Sequence, residues 1–218
     1  MNKLYSPAEA FELLSKTARA KFDETVDLAI KLGVDTSKNP SVRGTVNLPA
    51  GSGKTKKVAV ITRPERVKEA EEAGAVAAGG EDLAEKIKSG FMDFDVLIAT
   101  PDMMGTVGKL GKILGPRGLM PNPKSGTVTD DIKKTVGEFK GGKVEFKMDK
   151  GGVVGLGIGK ASFAADALKQ NFRAVLSAVN SARPSGFKGV YVRSVTLSLT
   201  MGPGIKLDPR LAMEEVGK

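Results

Sequence analysis

The sequence has no cysteine, no histidine and no tryptophan, and only 9 Phe and 2 Tyr among its 218 residues. Without Cys and His it cannot form disulfides, zinc sites built from those ligands, or catalysis by a thiolate or an imidazole. Recognition by rows of stacked aromatic rings is also not expected. Carboxylates, lysines and tyrosines remain available for chemistry, so these absences disfavour an enzyme without excluding one.

Long apolar runs are also lacking. No segment approaches the roughly 18 consecutive apolar residues that a membrane span requires. The first six residues lead directly into a helix signal and contain no apolar stretch of the signal-peptide type. We therefore expect a soluble intracellular protein with no cofactor or metal, and its length allows one large domain or two ordinary ones.

Positive charge is in excess, and the excess is unevenly distributed. The formal net charge is +9, from 34 Lys and Arg against 25 Asp and Glu. Residues 1–62 carry ten basic and six acidic side chains, residues 149–218 carry ten and five, and residues 63–148 carry fourteen of each. A basic excess of this kind usually serves a polyanion, most often a nucleic acid, although solubility alone is the simpler alternative.

The first third predicts one helix followed by strands. Ser6-Pro7-Ala8-Glu9 is a capping box with proline at the first helical position, and it predicts a helix over 7–19. From Phe22 the apolar residues alternate, which predicts a strand. Residues 42–48 alternate again and are predicted to be its partner strand. The polar faces would carry Thr25, Lys31, Arg43 and Thr45.

The middle of the chain has a different pattern. Residues 58–61 form a short, wholly apolar run, and in 95–99 four apolar residues follow Asp95. Such runs are typical of parallel strands covered on both faces. Helical patterns lie near 65–73, 81–89, 101–113 and 130–140. This alternation predicts a small doubly wound α/β unit.

The last third returns to the pattern of the first. A strand is predicted at 153–158 and a helix at 164–182, followed by the longest strand at 189–200 with a bulge between Val192 and Val195. Because both ends share charge and pattern, the predicted fold class is mixed α+β and α/β. Residues 1–63 and 149–218 would form one split α+β domain, with residues 64–148 inserted as the α/β domain.

Three motifs have the appearance of catalytic sites. Gly51-Ser52-Gly53-Lys54-Thr55 resembles the end of a phosphate-binding loop, but it precedes a strand and lacks the first glycine of that motif, so it is interpreted as a turn. Gly155, Gly157 and Gly159 match a dinucleotide loop only in part, and their alternation is more typical of a strand that lets another backbone approach. The carboxylate pairs Asp130-Asp131 and Glu71-Glu72 are explained by helix starts and solvation.

One long stretch of the middle region is locally basic. Residues 104–128 contain no acidic side chain, and their glycines and prolines predict an irregular, exposed loop. The cations held outward would be Lys109, Lys112, Arg117 and Lys124. This patch indicates a second, weaker contact with a polyanion, and a merely solvated loop is the alternative.

The same stretch carries a family resemblance. Leu114-Gly115-Pro116-Arg117-Gly118-Leu119-Met120-Pro121-Asn122-Pro123-Lys124, with Gly126-Thr127-Val128 after it, resembles the signature of the bacterial-type ribosomal protein L-one family. Further matching segments occur in the same order along nearly the whole chain, at residues 20–26, 42–45, 92–95, 159–160, 188–191 and 200–203.

The resemblance implies a structural protein of the large ribosomal subunit and not an enzyme. Members of this family bind large-subunit rRNA through the domain formed by both termini and build the mobile stalk beside the site from which deacylated tRNA leaves. Some bacterial members also bind a similar structure in their own mRNA and repress its translation. We accordingly expect rRNA, deacylated tRNA and possible self-mRNA as partners, a monomer when free, and a ribosome that is cytoplasmic or organellar.

Carried over residue by residue, the resemblance places the rRNA surface in the split domain, where the charge excess lies. The implied lysines and arginine would meet phosphates, the hydroxyls would meet ribose and minor-groove edges, and Phe22 would either stack on a base or anchor the sheet edge. The implied rRNA-binding residues are Lys21, Phe22, Thr25, Arg43, Lys160, Ser194, Thr200, Met201 and Gly202. The four cations of residues 109–124 would face tRNA.

Two other functions stay open from the residues alone. A free RNA-binding repressor would use the same surface and would need a matching fold in its own mRNA. An α/β enzyme acting on an anionic substrate is favoured only by the loop at 105–126, and the sequence offers no convergent acid, base and nucleophile for it.

Overall fold

A computed structural model describes residues 3–34, 42–184 and 187–217. The strands are β1 (Thr25–Leu32), β2 (Arg43–Asn47), β3 (Val58–Ile61), β4 (Ala77–Gly79), β5 (Val96–Ala99), β6 (Lys143–Lys147), β7 (Val153–Lys160), β8 (Val192–Leu199) and β9 (Ile205–Leu207). The helices are α1 (Pro7–Thr17), α2 (Val67–Glu72), α3 (Glu81–Lys88), α4 (Met104–Lys109), α5 (Gly111–Leu114), α6 (Ile132–Gly141), α7 (Ala165–Ser181) and α8 (Pro209–Glu214). No described helix is both long and apolar enough to cross a membrane.

The chain divides into two compact units, and their boundaries correct the predicted ones. A terminal unit comprises Met1–Gly53 and Gly142–Lys218, and an inserted unit comprises Lys54–Gly141. The predicted boundaries at 63/64 and 148/149 are wrong by several residues, because β3 pairs inside the inserted unit and β6 pairs with β2 of the terminal unit. With the observed boundaries, the terminal unit carries 19 basic and 12 acidic residues and the inserted unit carries 15 and 13.

The terminal unit is built on a four-stranded antiparallel sheet with the order β7-β1-β8-β9. The apolar residues of β1 alternate as predicted, and Val26, Leu28, Ile30 and Leu32 are all buried. Helices α1 and α7 supply the other side of this core, where Phe11 and Phe172 meet edge to face with ring centroids 5.7 Å apart. The predicted helices at 7–19 and 164–182 are thus confirmed to within two residues.

The expected pairing of the first two strands is wrong. β2 pairs with β6 in a separate two-stranded sheet, with Arg43 opposite Lys147. Both edges of β1 are instead occupied by β7 and β8, which each offer it seven paired residues from the last third of the chain. Pairing between strands close in sequence is the usual outcome, but here the neighbours of β1 come from distant parts of the chain.

β8 has the predicted bulge but not the predicted length. Lys31 lies opposite Ser194 while Leu32 lies opposite Val192, so Arg193 is the extra residue of the bulge. The strand spans Val192–Leu199, eight residues like β1 and β7, instead of the expected 189–200.

The inserted unit contains a three-stranded parallel sheet with the order β4-β3-β5. The predicted strands β3 and β5 are confirmed, while β4 was not predicted because Ala77–Gly79 contains only small residues. The stretch at 101–114 is mostly helical, which confirms the helix predicted near 101–113 and corrects the irregular loop predicted from residue 104 onward. Its buried Val107, Leu110 and Leu114 follow helical spacing and pack into the core of this unit.

Candidate nucleic-acid interface

Three strand ends meet at one edge of the terminal sheet. Because β1 runs antiparallel to both of its neighbours, its first residues lie beside the last residues of β7 and β8. Thr25 is paired with Lys160, and Val26 is opposite Leu199. This arrangement brings Thr25, Lys160, Thr200, Met201 and Gly202 together, and Lys21 and Phe22 lie in the segment just before β1. We call these seven residues the strand-end cluster.

Hydrogen bonds between Thr25 and Thr200 join two of these ends. The Thr25 N–H donates to Oγ1 of Thr200 at 3.0 Å, and the Thr200 N–H donates to the Thr25 carbonyl oxygen at 3.1 Å. The Gly202 N–H donates back to the carbonyl oxygen of Leu199 at 3.0 Å, which closes a tight turn. The backbone of 200–202 is therefore fixed against the start of β1.

Lys160 connects the third strand end to the same point. Its Nζ lies 3.2 Å from the Asp23 carbonyl oxygen and 3.2 Å from Oγ1 of Thr25. Both partners are neutral oxygens, so the positive charge of Lys160 is oriented without being neutralised by an ion pair among the described residues. A partly buried ammonium held in this way is available to a phosphate.

Two acidic residues that the sequence analysis missed hold the cluster in shape. Glu24 is 2% exposed, and its Oε1 accepts the Met201 N–H at 2.9 Å. The Asp23 carboxylate accepts the backbone N–H and the hydroxyl of Ser162 at 3.1 and 2.8 Å. Glu24 could have been found from the sequence. It lies two residues before Val26, so its side chain falls on the same buried face as the alternating apolar residues of β1.

Exposed apolar side chains accompany the fixed polar groups. Met201 is 77% exposed and Phe22 is 56% exposed, and Lys21 beside Phe22 is also exposed. Large apolar residues in water beside cations favour a partner that offers both flat faces and negative charge, as an RNA with accessible bases and phosphates does.

Arg43 and Ser194 are not brought into the cluster. Ser194 is opposite Lys31, six residues along β1 from Thr25, which corresponds to about 20 Å. Arg43 lies on the separate β2–β6 sheet. Met148, the residue after β6, forms a β-bridge with Val154 of β7. Of the nine predicted rRNA-binding residues, seven are therefore gathered at one strand-end edge and two lie away from it.

Two of the three alternate glycines of β7 face packed side chains. A side chain at Gly157 would first meet Cγ2 of Thr25 at 3.0 Å, and one at Gly159 would meet Cδ2 of Leu168 at 2.8 Å. At Gly155 no described atom lies within 4 Å of the added carbon. The expectation of a close backbone is therefore wrong at 157 and 159, where packed side chains fill the space.

The cations of the inserted unit lie on its surface. Lys109, Lys112 and Arg117 are exposed, at the end of α4, within α5 and in the turn after it. The side chain of Lys124 lies outside the described part of the structure.

Gly51–Thr55 is followed by strand β3 and not by a helix, as the turn interpretation requires. Among the described residues no group of His, Cys, Asp or Glu could hold a metal ion.

One known protein family matches most of the chain. A profile of the ribosomal protein L1p/L10e family matches residues 14–203, which include the whole strand-end cluster and the inserted unit. This is a family of structural ribosomal proteins and not of enzymes. The match covers well over half of the chain, so the chain belongs to the ribosomal protein L1p/L10e family, and is a large-subunit ribosomal protein that binds rRNA.

Proposed function

We propose that the terminal unit binds a stalk segment of large-subunit rRNA through the strand-end cluster, and that the protein thereby forms the mobile stalk near the tRNA exit site. The observation that carries this proposal is the hydrogen-bonded joining of Thr25, Lys160 and Thr200 from three strand ends. Lys160 and Lys21 contact phosphates, Thr25 and Thr200 offer hydroxyls to ribose, and Phe22 and Met201 lie against exposed bases.

Arg43 and Ser194 would be additional contacts with the same RNA outside the strand-end cluster. Their separation from the cluster, about 20 Å for Ser194, suits an RNA long enough to follow the sheet from one end to the other. The excess of seven positive charges in the terminal unit supports the same partner, since the inserted unit has an excess of only two.

The inserted unit contacts deacylated tRNA through Lys109, Lys112, Arg117 and Lys124 and assists its release. The support is the exposure of the three described cations and the absence of acidic residues from 104 to 128.

A repressor activity on the protein's own mRNA would use the strand-end cluster, in a free monomer of the cytoplasm or of an organelle.

A deletion tests the assignment of rRNA binding to the terminal unit. Gly51 and Gly142 lie together, since a carbon added at Gly142 would stand 2.8 Å from Cα of Gly51, so removing 54–141 and joining Gly53 to Gly142 spans a short distance. The shortened protein should keep its affinity for an rRNA stalk fragment within about threefold and should prefer it to an unrelated hairpin of equal length. Loss of binding by a shortened protein that still unfolds cooperatively would contradict the proposal.

A second experiment tests the proposed contact between the inserted unit and tRNA. The full chain should bind deacylated tRNA weakly, and replacing Lys109, Lys112 and Arg117 together by Gln should remove that binding while leaving affinity for the rRNA fragment unchanged. Unaltered tRNA binding by this variant would contradict the assignment.

A further inference from the structure

A groove of about 630 Å³ lies at the end of the terminal sheet opposite the strand-end cluster. It is formed by the end of α7, the residues that lead into β8, and the start of α8. Pockets of this size hold small molecules or single units of a polymer. Its principal lining residues are Leu4, Arg183, Val190, Arg193, Arg210 and Met213.

Positive charge predominates in this groove. Among the described residues that line it are three arginines, and Asp208 is the single carboxylate of that set. Asp208 is occupied as the cap of α8, where its Oδ1 accepts the Arg210 N–H at 2.8 Å. Among the residues that the structure describes, no carboxylate forms an ion pair with any of the three guanidinium groups. The groove therefore favours an anion.

One arginine is already held in place. The Arg183 guanidinium lies 5.4 Å from the ring centre of Phe187 and 5.8 Å from that of Tyr191, and its Nη2 donates to the Phe187 carbonyl oxygen at 2.8 Å. The Tyr191 ring is itself fixed by a hydrogen bond from its hydroxyl to the Val179 carbonyl oxygen at 3.1 Å. An arginine ordered before binding loses less entropy when it meets an anion.

Apolar surface is exposed next to these charges. Val190 is 71% exposed and Leu4 is 51% exposed, and Met213 completes this side of the groove. A free phosphate would not use apolar contacts, whereas a nucleotide offers a phosphate together with a flat base. Unpaired bases of RNA commonly stack on aromatic side chains and on guanidinium planes, and bases turned out of a helix also pack between apolar side chains.

The bulge of β8 places the groove next to the proposed RNA path. Arg193 is the bulged residue and directly precedes Ser194, both of them exposed. From these features we infer that the groove captures one unpaired nucleotide of the bound rRNA, with its phosphate on Arg183 and Arg210 and its base against Val190 and Arg193. This inference rests on the proposed rRNA binding.

Abasic substitution combined with point variants tests the inference. The full-length protein and its Arg193→Gln and Arg210→Gln variants are titrated with the rRNA stalk fragment, and with fragments in which each unpaired nucleotide in turn is made abasic. Each variant should bind the intact fragment about 3–10-fold more weakly, and for Arg210→Gln, which loses a phosphate contact, the slope of log affinity against log salt should fall by roughly one unit. Lys88→Gln, an exposed cation of the inserted unit, should change neither value.

The abasic series identifies the nucleotide. At one position the abasic change should weaken wild-type binding about tenfold and weaken the binding of Arg193→Gln much less, because the variant has already lost that contact. If no position shows this coupling, or if both variants bind the intact fragment as wild type does, the inference is overturned and an acidic peptide becomes the better candidate occupant. If the wild-type protein does not bind the fragment, the proposed function itself has failed.

Discussion

Thr25 and Thr200 are 175 residues apart in the chain, yet the N–H of Thr25 donates to the hydroxyl oxygen of Thr200 at 3.0 Å. Lys160 Nζ reaches the hydroxyl of the same Thr25 at 3.2 Å. The candidate RNA surface is therefore assembled by sheet topology and not by any one segment, and its parts depend on one another.

Met201→Asp should weaken binding of the rRNA fragment by about tenfold or more, which corresponds to ~1.4 kcal/mol. The substitution places a carboxylate at a side chain that is 77% exposed, where it would oppose RNA phosphate without disturbing the core. Affinity is measured by filter binding and folding by thermal denaturation. Val76→Asp, which alters a 53% exposed side chain of the inserted unit, is the matched control and should bind normally. Equal affinities for the two variants would remove Met201 from the interface.

Glu24→Ala should lower the free energy of unfolding by roughly 1–3 kcal/mol, because it leaves the Met201 N–H without its buried acceptor. It should also reduce RNA affinity, since the 200–202 turn loses its anchor. Glu24→Gln keeps an oxygen acceptor and should retain most of both properties. The measurements are urea denaturation and RNA titration of each variant. An Ala variant that is less stable but binds RNA with unchanged affinity would show that Glu24 does not position the turn.

Asn171→Ala should destabilise the terminal unit by roughly 2–3 kcal/mol. Asn171 is fully buried; its Oδ1 accepts the Ala50 N–H at 3.0 Å, and its Nδ2 donates to the Gly51 and Ile158 carbonyl oxygens at 2.9 and 2.7 Å. Truncation leaves these three backbone groups without a partner. Gln170→Ala on the exposed face of the same helix should change stability by less than ~0.5 kcal/mol. Similar urea midpoints for both variants would contradict this role.

The capping box of α1 should add a pH-dependent contribution to stability. The Ser6 backbone N–H donates to the Glu9 carboxylate and lowers the pKa of that carboxyl below its ordinary value of 4.5. A lowered folded-state pKa gives a contribution that is present above pH 4.5 and is lost as the pH falls through the folded value. Wild type should therefore melt at a higher temperature than Glu9→Gln at pH 7, and the difference should shrink below pH 4.5. Glu12→Gln, which removes an exposed carboxylate of the same helix outside the capping box, is the control for the loss of one negative charge.

Local patterns were sufficient to predict much of this fold. The capping box located α1, the alternation of β1 identified its buried face, and the phase change in β8 predicted a bulge between Val192 and Val195, which the structure places at Arg193. These features depend on residues close together in sequence, where spacing alone determines which side chain faces the core.

The features that the sequence did not predict depend on distant residues or on weak local signals. The pairing of β2 with β6 depends on which strands occupy the edges of β1, and no pattern within residues 42–48 encodes that. β4 contains no β-branched residue, so its place in the sheet comes from parallel pairing with β3. Glu24 was missed because a buried carboxylate is uncommon and its partner is 177 residues away.

The affinity of the full-length protein for a large-subunit rRNA stalk fragment between 50 and 200 mM salt tests the central claim most directly. If the terminal unit meets five to eight phosphates, affinity should fall by about 10²–10⁴-fold across this range, and Lys160→Gln should reduce the slope of log affinity against log salt by roughly one unit. An affinity that stays constant with salt, or a slope that Lys160→Gln leaves unchanged, would contradict the account.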